Sequence, residues 1–395
     1  MADRMVSGWR VDVRDPDLYP IGICDVFTSL KLVLRHRRAG AWSLTLPADH
    51  PQAALFTEGA GILVWAPWST TSPVLSGPVT RFEQVTRNGD KDSELVVEGV
   101  DDTALLADRL VLPNPASAMS AQDVDAYWTT TGAAEKVIRD LVDYNCGDAG
   151  LAYRRLCDAD PDGRRAAGLL AGSQRSVSAR FDNLLTLVGE VAATDNLALE
   201  VVQPGGDIQD RHLRVWQPVD RSGQVRLSQS AGTLVSATAN IAAPTATNVL
   251  VAGGGEGTAR VLVERSADTL AASWRRRIET FRDARDTSDT AVLAERGDET
   301  LADAAVTAGI NLVPVDTSAQ SYGHDYGLGD LVSVDMPGGS YTDVVSGVDI
   351  SLTAADAVVI TPQIGDPDLA DIKSPAIYRR IKDLVRRLEQ LERRQ

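Results

Sequence analysis

The clearest hydrophobic pattern in the chain is an alternation within residues 322–350. Val332 and Val334 alternate with polar residues, and a second alternating run follows the turn-forming residues 337–339, which is the period of two that half-buried strands need. The pattern predicts a β-hairpin of the kind found in small barrels. Gly347 interrupts the second run, where we expect a bulge or a close approach of another backbone.

A similar arrangement is present in residues 61–79, near the start of the chain. Like residues 329–348, it contains an apolar strand that begins at a glycine, a proline-marked turn, and a Ser-Gly pair at the head of the next strand. One interpretation is an internal repeat, with two related β modules. The other is that two unrelated hairpins share glycine and proline at their turns.

The remaining periodicities predict the other elements. Alternation predicts hairpins over 30–46 and 79–100, the second with an Asn-Gly turn. Helical spacing follows Thr131 and covers 181–193, and two short strands are expected to pair beyond it. Asp298 is predicted as the N-cap of a later helix, with Gly309 as its C-terminal signal.

These elements predict a mainly β fold with α/β insertions and four segments. The predicted boundaries give a first β-barrel module at 1–100, a mixed α/β middle domain at 101–235, a second β-barrel module with a helical insertion at 236–365, and a linker with a coiled-coil helix at 366–395.

The carboxyl-terminal segment has the heptad spacing of a coiled coil. Ser374-Pro375 is typical of a helix start. Arg387 at g and Glu392 at e favour parallel chains, and Val385 at e widens the apolar face towards three strands. An amphipathic helix folded back on its own domain is the alternative. The predicted oligomerisation residues are Ile377, Ile381, Leu384, Leu388 and Leu391.

Composition narrows the classes of function. The formal net charge of −16 over 395 residues argues against sequence-independent binding of nucleic acid, which needs clustered Lys and Arg. Cys24, Cys146 and Cys157 form no metal-binding spacing or disulfide framework, so buried thiols are expected. There is no signal-peptide pattern and no membrane-spanning apolar run, which predicts synthesis in a cytoplasm.

Candidate chemical motifs have simpler explanations. The glycines of 253–257 follow a strand but do not open a helix, so a hairpin turn is favoured over a phosphate loop. Residues 158–163 imitate half of a calcium loop, but Leu169 stands where a bidentate Glu is needed. The four histidines have no metal-binding spacing. No catalytic, cofactor or metal residue is predicted, and the protein is not expected to be an enzyme.

Several longer runs resemble the hub-type tail-tip proteins of long-tailed actinobacterial phages. The resemblance covers most of residues 20–365 and is strongest in the last third. The runs that carry it are 247–265, 275–286, 322–334 and 361–365, with 42–47, 76–79 and 97–113 in the first third.

This resemblance implies a structural protein of the virion, at the baseplate hub of a non-contractile tail. In such hubs two β modules per subunit stand side by side, so that a homotrimer forms a pseudo-sixfold ring between the sixfold tail tube and the threefold tip. The implied partners are tail-tube proteins above and tip or fibre proteins below, with genomic DNA passing through unbound. A tail-associated wall hydrolase and a receptor-binding adhesin that attaches to the host cell are the alternatives.

Overall fold

A computed structural model describes most of the chain. The described residues are 8–86, 93–206, 208–305, 307–314, 320–336, 339–353 and 358–365. The predicted Asn88-Gly89 turn and all of the predicted coiled-coil residues lie outside these ranges.

Among the described residues, strands account for 39% and helices for 21%, so the mainly β prediction is confirmed. The strands are β1 (Arg10–Arg14), β2 (Pro20–Ile23), β3 (Ser29–Arg35), β4 (Ala41–Pro47), β5 (Gly61–Trp65), β6 (Leu75–Val85), β7 (Glu94–Val100), β8 (Trp128–Ala133), β9 (Gln174–Ala179), β10 (Ala198–Val202), β11 (His212–Trp216), β12 (Arg226–Ser228), β13 (Leu234–Ala242), β14 (Asn248–Ala252), β15 (Leu262–Ser266), β16 (Glu279–Asp283), β17 (Thr307–Pro314), β18 (Leu331–Met336), β19 (Gly339–Thr353) and β20 (Val358–Gly365). The α-helices are α1 (Ala134–Cys146), α2 (Arg164–Ala167), α3 (Leu184–Thr194), α4 (Asp268–Trp274) and α5 (Thr290–Asp303), and 3-10 helices span Pro51–Leu55, Asp102–Asp108, Ala152–Arg154 and Gly257–Ala259.

The chain divides into two compact units. Unit 1 comprises residues 1–236 and 312–363, and unit 2 comprises 237–311 and 364–395. Strands β13 and β17 carry the chain across the two divisions in the middle of the sequence. The four predicted segment boundaries stay a prediction.

In unit 1, the first third forms the antiparallel strand path β2-β1-β5-β6-β7-β4-β3. Both predicted hairpins are confirmed, since β3 pairs with β4 and β6 pairs with β7. Leu30, Leu32 and Leu34 are buried at alternate positions of β3, as the period of two requires.

The last third of the chain joins this sheet directly. Residues 347–353 of β19 pair antiparallel with β3, and the amino-terminal half of β19 pairs with β18, which confirms the hairpin predicted in 322–350. Gly347 is the predicted close approach, since a Cβ there would lie 3.2 Å from the Leu34 carbonyl oxygen. Within the described residues no sheet closes into a barrel, because β19 extends the first sheet where a closing strand would be needed.

The middle third has its own core, to which two two-stranded antiparallel sheets contribute, β8 with β9 and β10 with β11. Helices α1 and α3 pack together, with Val137, Ile138, Leu141 and Val188 fully buried, and the predicted pairing of β10 with β11 is confirmed. The predicted apolar stripe fails only at Tyr144, which is 43% exposed.

Unit 2 contains the small sheet β15-β14-β16 with α5 packed on one face. Val249, Val251 and Leu293 form its buried centre. The predicted helix exists, but its predicted ends were wrong. Asp289 accepts the capping hydrogen bond from the Ala291 amide, so α5 starts at Thr290, about two turns before Asp298. The predicted C-terminal signal Gly309 lies in the strand β17.

Candidate functional site

The strongest polar cluster of unit 1 is a buried junction between the first and middle thirds of the chain. We define the junction as Arg14, Ser76, Asp102, Gln203 and Arg211. Arg14 donates two hydrogen bonds to Asp102, of 2.7 and 2.9 Å, and a third of 2.7 Å to Gln203 Oε1. Arg211 Nε and Ser76 Oγ donate to the same carboxylate at 2.8 and 2.6 Å. Every polar atom of the Asp102 carboxylate is therefore satisfied.

Secondary structure places these groups on four different elements. Arg14 ends β1, Ser76 lies in β6, and Asp102 begins the 3-10 helix Asp102–Asp108. Gln203 follows β10, and its side-chain amide donates to the carbonyl oxygens of Leu18 and Ile208 at 2.8 and 3.0 Å. The junction thus fixes the middle third of the chain against the first sheet.

Electrostatics keep the junction ionised. Burial raises the pKa of Asp102, but the charges and hydrogen bonds of Arg14 and Arg211 outweigh it and hold the pKa below its usual value. Its neighbour Asp101 behaves in the opposite way. Burial raises the pKa of Asp101 to about 7, although its backbone hydrogen bonds and the N-cap contact with the Ala104 amide oppose the shift.

This arrangement can hold elements together but offers little to a substrate. The side chains of Arg14 and Asp102 are 1% and 0% exposed, and both make their hydrogen bonds within the protein. Searched over the described part of the chain, no group of three or more His, Cys, Asp or Glu side chains is placed to hold a metal ion. The helices within the same ranges are too short or too polar to cross a membrane.

The loop that precedes β18 packs onto the first third through aromatic side chains. Trp68 makes edge-to-face contacts with Trp9 and Tyr322, with ring centroids 5.1 and 6.0 Å apart. Gly323 has a φ of +86°, and a Cβ there would lie 2.3 Å from the Trp68 ring nitrogen, so only glycine fits.

Asp330 then fixes the start of β18. It accepts hydrogen bonds from the Val219 and Gly327 amides at 2.8 and 2.9 Å and pairs with Arg221 at 3.3 Å. Gly329, directly before Asp330, has a φ of +90°, in the left-handed region that favours glycine.

The residues that imitate a calcium loop are held by arginines. Arg139 is fully buried and pairs with Glu135, Asp160 and Asp162 at 2.9 to 3.2 Å. Arg164 adds a second contact to Glu135 at 3.1 Å. These guanidinium groups neutralise the carboxylates that they contact in residues 158–163. This agrees with the interpretation of that segment as a structural loop and not as a calcium site.

Two apolar surfaces remain exposed. On the edge strand β2 and the residue before it, Tyr19, Ile21 and Ile23 are exposed at alternate positions. In unit 2, Leu250 lies beside Phe281, and Leu262 pairs with Ala252 two positions further along the same face. Leu250, Phe281 and Leu262 are exposed, whereas Val249 and Val251 on the other face are buried. Such patches are candidate surfaces for contact with other proteins.

The sequence-predicted oligomerisation residues lie outside the described residues, so the structure brings none of them to the junction. Sequence reasoning also missed the whole junction. Arg14 and Asp102 are separated by 88 residues and Arg14 and Gln203 by 189, and no local periodicity relates such positions. Alternation along β1 groups Arg14 with the polar Arg10 and Asp12, so the sequence offered no signal for its burial.

Comparison with known proteins gives a family and a fold. The family model described as Siphovirus ReqiPepy6 Gp37-like protein matches residues 10–366. No curated protein sequence matches the chain.

Three crystal structures share the fold over nearly their whole length. The 43 kDa tail protein of prophage MuSo2 from Shewanella oneidensis has 12% identity and a TM-score of 0.53, with 92% of this chain and 99% of that one covered. A tail protein from Neisseria meningitidis MC58 has 12% identity and a TM-score of 0.55, with 92% and 98% covered. Prophage tail protein gp18 from Listeria monocytogenes EGD-e has 10% identity and a TM-score of 0.51, with 96% and 99% covered.

Proposed function

Because the chain belongs to the Siphovirus ReqiPepy6 Gp37-like protein family, we propose that it is the structural hub protein of a long non-contractile phage tail. In this role it forms a homotrimeric ring at the tail tip, between the tail tube above and tip or fibre proteins below. The observation that carries the proposal is the family match over residues 10–366, and the fold shared with three phage tail proteins supports it.

A pseudo-sixfold ring needs two comparable β modules in each subunit. The segments 61–79 and 329–348 both contain antiparallel pairs, β5 with β6 and β18 with β19. Both segments belong to unit 1, and the pairing of β19 with β3 connects them within one sheet, which supports a side-by-side placement in the proposed ring. These features support two related modules within one open sheet.

The surfaces of the protein suit assembly better than catalysis. The junction and the Arg139 cluster use their carboxylates in buried ion pairs, which gives a rigid scaffold. The exposed residues of β2 and the apolar face of unit 2 are the surfaces that we assign to neighbouring copies and tail proteins.

The acidic composition fits a ring that surrounds passing DNA. A net charge of −16 repels phosphates, so DNA would slide through such a ring without being held. We expect acidic or neutral side chains on the channel wall and basic side chains at contacts with other proteins.

Sedimentation velocity of the full chain tests the trimer. We expect the wild type to sediment as a trimer and the variant Leu384→Asp/Leu388→Asp to dissociate at matched concentration, because it places carboxylates in the proposed coiled-coil core. The control is Arg386→Ala/Gln390→Asp, which changes the net charge equally at outward-facing heptad positions and should stay trimeric.

A monomeric wild type would contradict the trimer itself. An unchanged trimer in the core variant would assign trimerisation to the β modules and remove the coiled coil from the proposal. Cleavage of purified host cell wall by the wild type would instead support the hydrolase alternative, and saturable binding to intact host cells by the isolated protein would support the adhesin.

A further inference from the structure

Two of the three cysteines lie next to each other in the hydrophobic core of the middle third of the chain. Cys146 is the last residue of α1, and Cys157 follows the 3-10 helix Ala152–Arg154. The Cys146 carbonyl oxygen accepts hydrogen bonds from the amides of both Leu156 and Cys157, at 2.7 and 3.3 Å. The two thiols are fully buried in the same hydrophobic cluster.

The separation of the two backbones suits a covalent link. Because the Cys157 amide nitrogen lies 3.3 Å from the Cys146 carbonyl oxygen, standard backbone dimensions hold the two Cα atoms within about 7 Å of each other. Disulfides span Cα separations of about 4.4–6.8 Å. The Cys146 side chain is also within hydrogen-bonding contact of the Cys157 thiol, and this contact together with burial raises the pKa of Cys157.

We propose that Cys146 and Cys157 are a latent disulfide site, reduced during synthesis and closed when the assembled protein meets an oxidising environment. The oxidant is a small-molecule disulfide. One cysteine thiolate attacks it and releases one thiol, leaving a mixed disulfide. The second cysteine thiolate then attacks the cysteine sulfur of that mixed disulfide and releases the second thiol. The protein loses two protons and two electrons, and the small disulfide is reduced to two thiols.

Burial makes this reaction slow in the closed fold. The thiolate is the attacking species, and the raised pKa of Cys157 leaves little of it at neutral pH. Reaction therefore passes through local opening of the 147–156 segment. Arg155 opposes that opening, since it pairs with Asp148 and Asp210 at 2.6 Å each.

The link would secure a segment that leads to the junction. The Asp158 amide donates to the Arg211 carbonyl oxygen at 2.8 Å, and the Leu213 amide donates to the Asp158 carbonyl oxygen at 2.9 Å. Arg211 in turn donates to Asp102 of the junction. Closing the disulfide should therefore raise the unfolding temperature of unit 1.

Cys24 is an internal control. It is buried in the first third of the chain, and its amide donates to the Val11 carbonyl oxygen at 2.8 Å, so it belongs to a different part of unit 1. Burial raises the pKa of its thiol to about 12. A specific reaction leaves Cys24 reduced.

The test is oxidation of the full chain with oxidised glutathione in sub-denaturing urea, followed by removal of both reagents. Thiols are counted after full denaturation, and the disulfide is assigned by peptide mass mapping. We expect the count to fall from three to one, with Cys146 linked to Cys157, and the unfolding temperature of unit 1 to rise by several degrees. Oxidation should be slower without urea.

Variants separate the specific link from general oxidation. Cys24→Ser should fall from two thiols to none and gain the same stability. Cys157→Ala and Cys146→Ser should each keep two thiols and gain no stability. Three thiols after treatment of the wild type, a disulfide that includes Cys24, or an unfolding temperature that does not rise would each overturn the proposal.

Discussion

The two units use the same ion-pair chemistry in opposite settings. In unit 1, Arg14 and Asp102 are buried and satisfy each other at the centre of four elements. In unit 2, Arg265 pairs with Asp298 at 2.7 Å, but the side chains are 44% and 53% exposed. A buried pair is costly to break because one partner is left charged and desolvated, whereas water replaces an exposed partner readily. We therefore expect substitution of the buried pair to lower the free energy of unfolding far more than substitution of the exposed pair.

The largest expected effect is in the junction. Asp102→Ala leaves Arg14 charged and buried, and we expect unit 1 to lose about 3–5 kcal/mol of unfolding free energy. Urea denaturation followed by circular dichroism measures it. Adding Arg14→Met to Asp102→Ala should recover part of the loss, since an apolar side chain needs no partner there. A single variant as stable as the wild type would show that the pair does not hold the elements together.

The stability of unit 1 should also depend on pH, because of His36. Burial and the charge of Arg37 lower the pKa of His36 from 6.5 to about 3, and its Nε2 has no hydrogen-bond partner among the described residues. Below pH 6.5, His36 binds a proton in the unfolded chain but not in the folded protein. Its contribution to the free energy of unfolding is therefore fully present above pH 6.5 and is lost as the pH falls towards 3. Between pH 7 and pH 5 we expect a loss of about 2 kcal/mol.

The measurement is urea denaturation from pH 5 to pH 7 in the wild type and in His36→Leu. The variant should lack the His36 contribution, so the difference in stability between the two proteins should change by that amount across the range. A constant difference would mean that His36 has the same pKa in the folded protein as in the unfolded chain.

Asp101 should make the free energy of unfolding depend on pH in the opposite direction, with a smaller total change. Its pKa of about 7 in the folded protein exceeds the usual 3.8, so its contribution is present below pH 3.8 and is lost as pH rises towards 7. Asp101→Asn keeps an N-cap oxygen and should remove this loss, with a gain relative to the wild type of about 1–2 kcal/mol at pH 7 and less at pH 5. Partial exposure of the side chain limits the effect. A gain in stability that does not change with pH would show that the gain comes from helix capping alone.

The smallest expected effect belongs to unit 2. Arg265→Ala removes an exposed pair with Asp298, and we expect no measurable change in the unfolding midpoint at moderate salt. Gly297→Val is the matched contrast in the same place, because a Cβ there would lie 2.5 Å from the Arg265 Cγ and 3.1 Å from a Val251 methyl group. Differential scanning calorimetry compares the two. A large loss in Arg265→Ala would contradict the interpretation of unit 2 as stabilised by its apolar centre.

Local patterns in the sequence predicted most helices and hairpins but not how these elements pair and pack with one another. Alternation identified the β3–β4 and β18–β19 hairpins, and helical spacing identified α1 and α3, because those patterns report which face of a single element is buried. The pairing of β19 with β3 was not predicted, since it joins residues over 300 positions apart. The start of α5 was misassigned because Asp298 is a good capping residue that instead lies within the helix and pairs with Arg265.

The same limit applies to the candidate site. The sequence indicated a tail protein through runs of residues that specify a family, and the family is confirmed over residues 10–366. Arg14, Asp102 and Gln203 carry no local motif, and their meeting depends on the strand order of the whole unit. The coiled-coil heptad stays a prediction, because its residues lie outside the described ranges.

Electron cryomicroscopy of the tail tip of a phage that encodes this chain tests the hub proposal most directly. We predict three copies in a closed ring around the DNA channel, with the segments 61–79 and 329–348 alternating at six similar positions beneath the last ring of the tail tube. Acidic or neutral side chains should line the channel. A map in which the chain is absent from the tail, lies outside the channel axis, or forms any ring other than a trimer would contradict the proposal.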